Sequence, residues 1–249
     1  MPDALVWKVL WVAVLTDLAT GLGALPFAFL RRPSDSWQGM MTAAAAGMML
    51  SASVFTLTGE ALQAGALWQV LFGLLAGAAF FAGTAKLVAG NDWRLGTLTA
   101  AESRQSILIL VAMFIHSIPE GIAIGVGYAT GELQFGLLLA TAIAVHNIPE
   151  GIAISMPLRA RGVSVPRCAV YAILTSTPQP IAAVPAFMLV SVFSGLLPLG
   201  LGFAGGAMIF LVAFELLPES LERCTRGQAA WALMLGLTAM LWLTGALAI

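Results

Sequence analysis

The chain has 249 residues, of which 60% are hydrophobic and 9% are charged. Soluble domains carry roughly 25% charged residues, so this chain lacks the charge to cover a water-facing surface. The net charge of -1 gives no basis for a nucleic-acid partner, and Cys168 and Cys224 form no CxxC metal or redox motif. A mean hydropathy of +0.96 and long apolar runs favour an integral membrane protein.

Eight apolar segments follow one another along the chain, joined by short loops. They run over residues 5–30, 38–58, 65–89, 105–128, 134–157, 165–193, 197–219 and 228–248. Because a helix needs roughly 20 residues to cross a bilayer core, we predict an all-α membrane protein with eight transmembrane helices and one domain over residues 1–249. The first segment has no basic start and no A-x-A end, so we expect a helix there rather than a cleaved signal.

The basic residues predict the orientation of these helices. Only Lys8 lies on one side of the predicted bundle. The other ten Lys and Arg residues lie in or beside the loops on the opposite side: Arg31, Arg32, Lys86, Arg94, Arg104, Arg159, Arg161, Arg167, Arg223 and Arg226. By the positive-inside rule, both termini face away from the cytoplasm.

Two internal repeats appear when the chain is compared with itself. HSIPEGIAI at residues 116–124 matches HNIPEGIAI at residues 146–154, and residues 45–62 align without gaps to residues 204–221. The first repeat relates predicted helices 4 and 5, and the second relates helices 2 and 7, so each pair crosses the membrane in opposite directions. We therefore predict a 3+2+3 arrangement with inverted repeats, which is typical of secondary transporters.

The duplicated motif predicts a metal site. His116 and Glu120 share one helix face because they are four residues apart, as do His146 and Glu150. A carboxylate inside a membrane costs roughly 2.5–3.5 kcal/mol, and no Lys or Arg lies mid-helix to compensate it. Imidazole with carboxylate is an ordinary zinc ligand set, and Pro119 and Pro149 would free backbone carbonyls beside both histidines.

Other carboxylates are candidates for an ion pathway. With the termini outside, Glu60 lies at the outer mouth, and Glu215 and Glu219 lie toward the cytoplasmic exit. Carboxylates at helix ends that simply reach the interface are the alternative for Glu60 and Glu219. Asp17, in the first helix, is either a pathway residue or a hydrogen-bonded packing partner.

With these motifs, the sequence resembles the ZIP family of divalent-metal transporters. HSIPEG and HNIPEG are similar to the family's motifs on helices 4 and 5, and AAGMMLSASVFTL and GGAMIFLVAFELLPE are similar to its helices 2 and 7. The resemblance implies eight helices with both termini outside and a binuclear metal site between helices 4 and 5. It also implies a helix 2 methionine ligand, which matches Met49, with Met48 as the alternative.

The sequence departs from the family at the second metal position. The helix 6 motif resembles S-G-L-x-E-P but reads TSTPQP, so Gln179 stands where the family has a carboxylate. Ser117 and Asn147 are the neighbouring candidate ligands and are also neutral. Only Glu120 and Glu150 then carry negative charge at the site. Because their combined charge balances one divalent ion, we expect a second ion to bind weakly.

The resemblance implies a transporter that carries Zn²⁺ into the cytoplasm by alternating access. Cd²⁺, Fe²⁺, Mn²⁺, Co²⁺ and Ni²⁺ suit similar ligands, so the ion remains open, as does a homodimer. We expect no cofactor, no catalytic residue, a bacterial inner membrane, and the metal ion and lipid as partners. An intramembrane metal-dependent hydrolase is the alternative, although HExxH and a spare general base are missing; a cation exchanger that uses only the glutamates is a third reading.

Overall fold

Helices account for every regular element in the described part of the computed structural model, which comprises residues 2–29, 34–89, 100–160 and 162–247. Seven stretches within these ranges are long and apolar enough to cross a membrane: Ala4–Ala28, Asp35–Ala64, Leu67–Thr84, Leu133–Met156, Val165–Val192, Ser194–Arg223 and Arg226–Leu247. They coincide with seven of the eight predicted segments. The prediction of an all-α integral membrane protein is therefore confirmed.

Eleven α-helices are present in the described residues, and all of them except α5 contribute to these stretches. They are α1 (Pro2–Leu22), α2 (Asp35–Ser51), α3 (Gly59–Ala64), α4 (Leu67–Ala89), α5 (Ala100–Ala129), α6 (Leu133–Ala160), α7 (Val165–Ser176), α8 (Pro178–Val192), α9 (Leu197–Leu211), α10 (Leu217–Arg223) and α11 (Arg226–Leu247). The remaining predicted segment, 105–128, lies within α5. Arg31, Arg32, Arg94 and Arg161, used above for the orientation, lie outside the described residues.

Three of the spans are not regular along their whole length. Wider π-helical turns join α2 to α3 at Ala52–Thr58 and α9 to α10 at Val212–Leu216. These two turns occupy matching positions in the aligned repeat. A break at Thr177 separates α7 from α8, and Pro178 begins α8, where its missing N–H requires no partner.

Two pairs of helices approach closely at glycines. Gly47 of α2 faces the backbone of Leu233 of α11, and Gly206 of α9 faces the backbone of Leu74 of α4. A side chain at either glycine would overlap the neighbouring backbone, so only glycine allows the approach. Leu233 and Leu74 are 159 positions apart, as are Gly206 and Gly47. The two contacts therefore follow the spacing of the aligned repeat.

The motif helices are held by a second set of close contacts. Gly121 of α5 packs against the backbone of Gln179 of α8, and Gly151 of α6 packs against the backbone of Thr20 of α1. Gln179 and Thr20 are again 159 positions apart. Because a Cβ at either glycine would meet backbone atoms, α5 and α6 sit in a fixed register against α8 and α1. This register positions the histidines and glutamates of both motifs.

Two glycines of α11 provide a test of this packing. Gly236 faces the backbone of Ala44, whereas none of the described residues comes within 4 Å of the position where Gly245 would carry a Cβ. We expect Gly236→Ala to lower the free energy of unfolding by about 1–3 kcal/mol, the usual effect of overpacking. Gly245→Ala should leave stability unchanged or slightly raised, because alanine favours helix. Thermal unfolding of both variants in one detergent measures this; equal melting temperatures would contradict the packing described.

Candidate metal centre

The two HxxPEG motifs bring four side chains together in the protein interior. His116 and Glu120 come from α5, and His146 and Glu150 come from α6; all four are buried, with exposed fractions of 2%, 0%, 0% and 5%. The Nε2 atom of His116 lies 3.5 Å from Oε1 of Glu120 and 3.7 Å from Oε2 of Glu150. Ligand atoms from His116, Glu120 and Glu150 all lie within 4.8 Å of one another. Three donors therefore surround one small region.

His146 takes a different position from His116. Its Nε2 atom lies 2.7 Å from Oε1 of Glu120, which is hydrogen-bonding distance. His116, Glu120 and Glu150 thus lie around a common point. His146 instead forms a hydrogen bond with the carboxylate of Glu120.

The polar atoms at the common point have few partners of their own. Within the described residues, neither ring nitrogen of His116 and neither carboxylate oxygen of Glu150 forms a hydrogen bond. A buried polar group without a partner costs about 1–3 kcal/mol, and more if it is charged. Imidazole nitrogen and carboxylate oxygen are both common zinc ligands. The donor set and its unmet bonding capacity therefore fit a divalent transition-metal ion.

Ser117 and Asn147 direct hydrogen bonds away from this point. The hydroxyl of Ser117 donates to the carbonyl of Thr175, at 3.2 Å, and the amide of Asn147 donates to the carbonyl of Thr16, at 3.0 Å. Thr175 and Thr16 are 159 positions apart, so these are matching contacts of the repeat. Each of these hydrogen bonds links a motif helix to a neighbouring helix. The Oδ1 atom of Asn147 has no hydrogen-bond partner in the described residues.

Gln179 is held by three hydrogen bonds. Its Oε1 atom accepts from the amide of Asn147, at 3.4 Å, and from the hydroxyl of Thr16, at 3.0 Å, which shares its single proton with the carbonyl of Ala13, at 2.7 Å. These two donors identify that atom as the carbonyl oxygen, so the amide nitrogen faces Glu120 and donates to its Oε2. Glu120 consequently presents only its other oxygen, Oε1, to the two histidines. The sequence analysis did not identify Thr16; the 159-residue spacing that relates it to Thr175 was the available signal.

Met49 lies beside the cluster. It is buried and lines a cavity of about 20 Å³ together with His116 and Glu150. The cavity also reaches Gln38 of α2 and Glu219 of α10. A volume of this size holds about one water molecule. The thioether predicted as a ligand therefore borders the same small space as the imidazole and the carboxylate.

The other predicted pathway residues occupy separate places. Glu215 lies half-buried in the π-helical turn before α10, and Glu60 lies half-buried in α3. Asp17 of α1 is buried, and its Oδ1 atom has no hydrogen-bond partner within the described residues. Among the residues that the structure describes, the group whose ligand atoms converge closely enough for a metal consists of His116, Glu120 and Glu150.

The fold and the cluster define an all-helical membrane protein with a buried imidazole–carboxylate centre between two motif helices. The ZIP zinc transporter family matches residues 94–244 of the chain. The zinc transporter GufA of Myxococcus xanthus is 34% identical over 239 residues, which cover 90% of this chain and 92% of that protein. The chain belongs to the ZIP family of metal-ion transporters.

Two further relatives extend the comparison. The zinc transporter ZIPB of Bordetella bronchiseptica is 36% identical over 247 residues, covering 92% of this chain and 78% of its own. An Arabidopsis thaliana protein named as a zinc transporter is 40% identical over 224 residues, but this chain spans only 36% of its length. These relatives are named as transporters and not as enzymes, so the hydrolase alternative is not favoured.

Proposed function

We propose that this chain carries Zn²⁺, or a related divalent transition-metal ion, into the cytoplasm by alternating access through the cluster of His116, Glu120, His146 and Glu150. The convergence of three buried ligand residues, two of them carboxylates, is the observation that carries the proposal. The names of the zinc transporters to which the chain is similar support zinc as the substrate. The bilayer in question is a bacterial inner membrane.

The proposed architecture is a single domain of eight transmembrane helices in a 3+2+3 arrangement. Its support is the recurrence of the 159-residue spacing in contacts far apart in the structure. Gly47 and Gly206 contact matching leucines, and Thr16 and Thr175 accept matching hydrogen bonds from the motif helices. Inverted repeats place a substrate site at their interface near the bilayer midplane, which is where the cluster lies in this arrangement.

Each residue of the cluster has a distinct task in this proposal. Glu150 and His116 capture the ion, because neither carboxylate oxygen of Glu150 and neither ring nitrogen of His116 has a hydrogen-bond partner in the described residues. Glu120 supplies a second negative charge through Oε1, and His146 joins when its hydrogen bond to that oxygen breaks. The thioether of Met49 borders the ion. Glu60, Asp17, Glu215 and Glu219 remain candidates for the path to and from the cluster.

The cluster holds one ion tightly in this proposal. Glu120 and Glu150 together carry two negative charges, which balance one divalent ion. The remaining candidates near a second position, Ser117, Asn147 and Gln179, are neutral, and Gln179 already occupies Oε2 of Glu120. That carboxylate therefore cannot bridge two ions while the amide is in place. A second ion would leave surplus positive charge in a medium of low dielectric constant.

Removal of either capturing residue tests the transport site. We expect His116→Ala and Glu150→Ala to reduce zinc uptake into liposomes loaded with a zinc-sensitive dye by at least about tenfold, because even the loss of groups that only orient ligands costs 10–100-fold in affinity or activity. Glu222→Ala, which removes an exposed carboxylate from α10, is the matched control and should transport normally. Uptake at the rate of the unmodified protein in either cluster variant would contradict the assignment.

Labelling of single cysteines tests the orientation. Gln63, Glu132 and Gly162 are all exposed in the structure; Gln63 lies near the end of α3, and Glu132 and Gly162 lie in two different loops. Because the basic residues predict that both termini face outward, cysteines at Gln63 and Glu132 should react with a membrane-impermeant reagent added to intact cells. A cysteine at Gly162 should react only after the cells are opened. The opposite pattern would refute both the orientation and the inward direction.

Calorimetry on detergent-purified protein tests the number of ions. We expect one zinc ion to bind tightly and a second to bind more weakly by several kcal/mol, since each charge-assisted contact that is missing is worth roughly 1.5–3 kcal/mol. Gln179→Glu should strengthen the second ion by restoring a negative charge, whereas Gln179→Met, which is similar in size and neutral, should not. Two ions of equal high affinity in the unmodified protein would show that the charge argument is wrong.

A further inference from the structure

A small cavity beside the metal cluster is lined by residues that lead toward one end of the helix bundle, where α2 begins and α10 ends, and we call this row of residues the passage. The cavity that His116 and Glu150 border is also lined by Gln38 and Met49 of α2 and by Glu219 of α10. Gln38 and Met49 are separated by 11 positions, which corresponds to about 16 Å along a helix. The cavity itself, at about 20 Å³, holds about one water molecule, so side chains fill most of this length.

Arg223, at the end of α10, joins the two residues at the far end of this passage. Its Nη1 atom donates a hydrogen bond to Oε1 of Gln38, at 2.7 Å. Its Nη2 atom lies 3.3 Å from Oε1 of Glu219, and both side chains of this pair remain partly accessible to solvent. The pair with Glu219 lies within α10, four residues apart, so the hydrogen bond to Gln38 is the contact of this guanidinium group that crosses from α10 to α2.

The helices themselves are in direct contact at this end. The hydroxyl of Ser220 donates to the carbonyl of Gly39, at 2.8 Å. A Cβ at Gly39 would lie 2.9 Å from the carbonyl oxygen of Ser220 and 3.0 Å from the Cβ atoms of Arg223 and Cys224. Separating α2 from α10 would break this close packing. The side chain of Arg223 is long and can move while the two helices stay packed. It is therefore the part of the closure that opens most easily.

We propose that Arg223 is a side-chain latch that closes the passage by binding Gln38 while Glu219 holds its guanidinium group in place, and that a departing cation opens the latch by taking over Glu219. An ion pair that is partly exposed to solvent is weak, which suits a contact that must break in each transport cycle. A divalent ion attracts a carboxylate twice as strongly as a guanidinium does at the same distance. The exit role rests on the proposed transport function, whereas the closure itself can be measured without any metal.

Cysteine reactivity measures the closure. Thr42 lines the passage and is buried, so Thr42→Cys, in a background with Cys168→Ser and Cys224→Ser, reports access to it. In metal-free detergent solution we expect Arg223→Gln to speed labelling by N-ethylmaleimide about fivefold, the factor that corresponds to a weak ion pair. Arg223→Lys should give a smaller increase, because an ammonium group keeps the positive charge but cannot form both contacts of the guanidinium group. This variant serves as the reporter if Arg223→Gln does not fold.

Arg226→Gln is the matched control. Arg226 begins α11 and is exposed, so this change removes the same charge near the same end of the bundle and should alter the labelling rate by less than about twofold. Equal labelling with and without Arg223, or an equal increase in Arg226→Gln, would overturn the latch.

Zinc release tests the exit role separately. In the protein without the added cysteine, Arg223→Gln should release bound zinc to a chelator about fivefold faster than the parent protein does. The factor is the same because the same weak contact is lost. Faster labelling with unchanged zinc release would show that Arg223 closes a passage that the ion does not use. If the protein bound no zinc at all, the proposed function would fail, while the labelling result would still decide whether the latch exists.

Discussion

The burial of Glu120 and Glu150 in the membrane interior is the constraint on which the rest of the structure depends. Residues 105–158 contain no Lys or Arg, so the helices that carry these carboxylates supply no fixed positive charge to balance them. The partners that remain are the histidine four residues away on each helix, the amide of Gln179 and a mobile cation. The contacts of the cluster are consistent with this need, since Glu120 binds His146 and Gln179 while Glu150 has no hydrogen bond in the described residues.

The duplicated motif does not produce two equivalent halves of a site. Gln179 and Thr20 occupy matching positions in the repeat, 159 residues apart, and pack against matching glycines. The long amide of Gln179 reaches Glu120, whereas the short hydroxyl of Thr20 bonds Ser176 instead, at 2.9 Å. Glu120 is therefore held in place, whereas neither carboxylate oxygen of Glu150 has a hydrogen-bond partner in the described residues. A difference of one side chain thus gives the two motif glutamates different surroundings within a repeated framework, and the proposal of one tightly held ion rests on this difference.

Much of the membrane fold and part of the site could be predicted from the sequence. Apolar runs define spans because the bilayer sets their length, and His116 with Glu120 share a face because helix geometry is fixed. The roles of Thr16 and Gln179 could not be predicted, because their hydrogen bonds depend on how α1, α6 and α8 pack. The π-helical turns were also missed, although they recur at matching positions, since no residue type marks them as clearly as proline marks a break. Seven spans agree with the prediction in the described residues, and the ligand assignments stay predictions.

The central claim is that one divalent ion binds His116 together with the two buried carboxylates. X-ray absorption at the zinc edge, on protein carrying one equivalent of zinc, tests it most directly. The account predicts nitrogen and oxygen ligands at about 2.0–2.2 Å, with an outer-shell imidazole signal that weakens in His116→Ala and is unchanged in Glu222→Ala. A spectrum without imidazole, or one that the loss of His116 does not alter, would contradict the account.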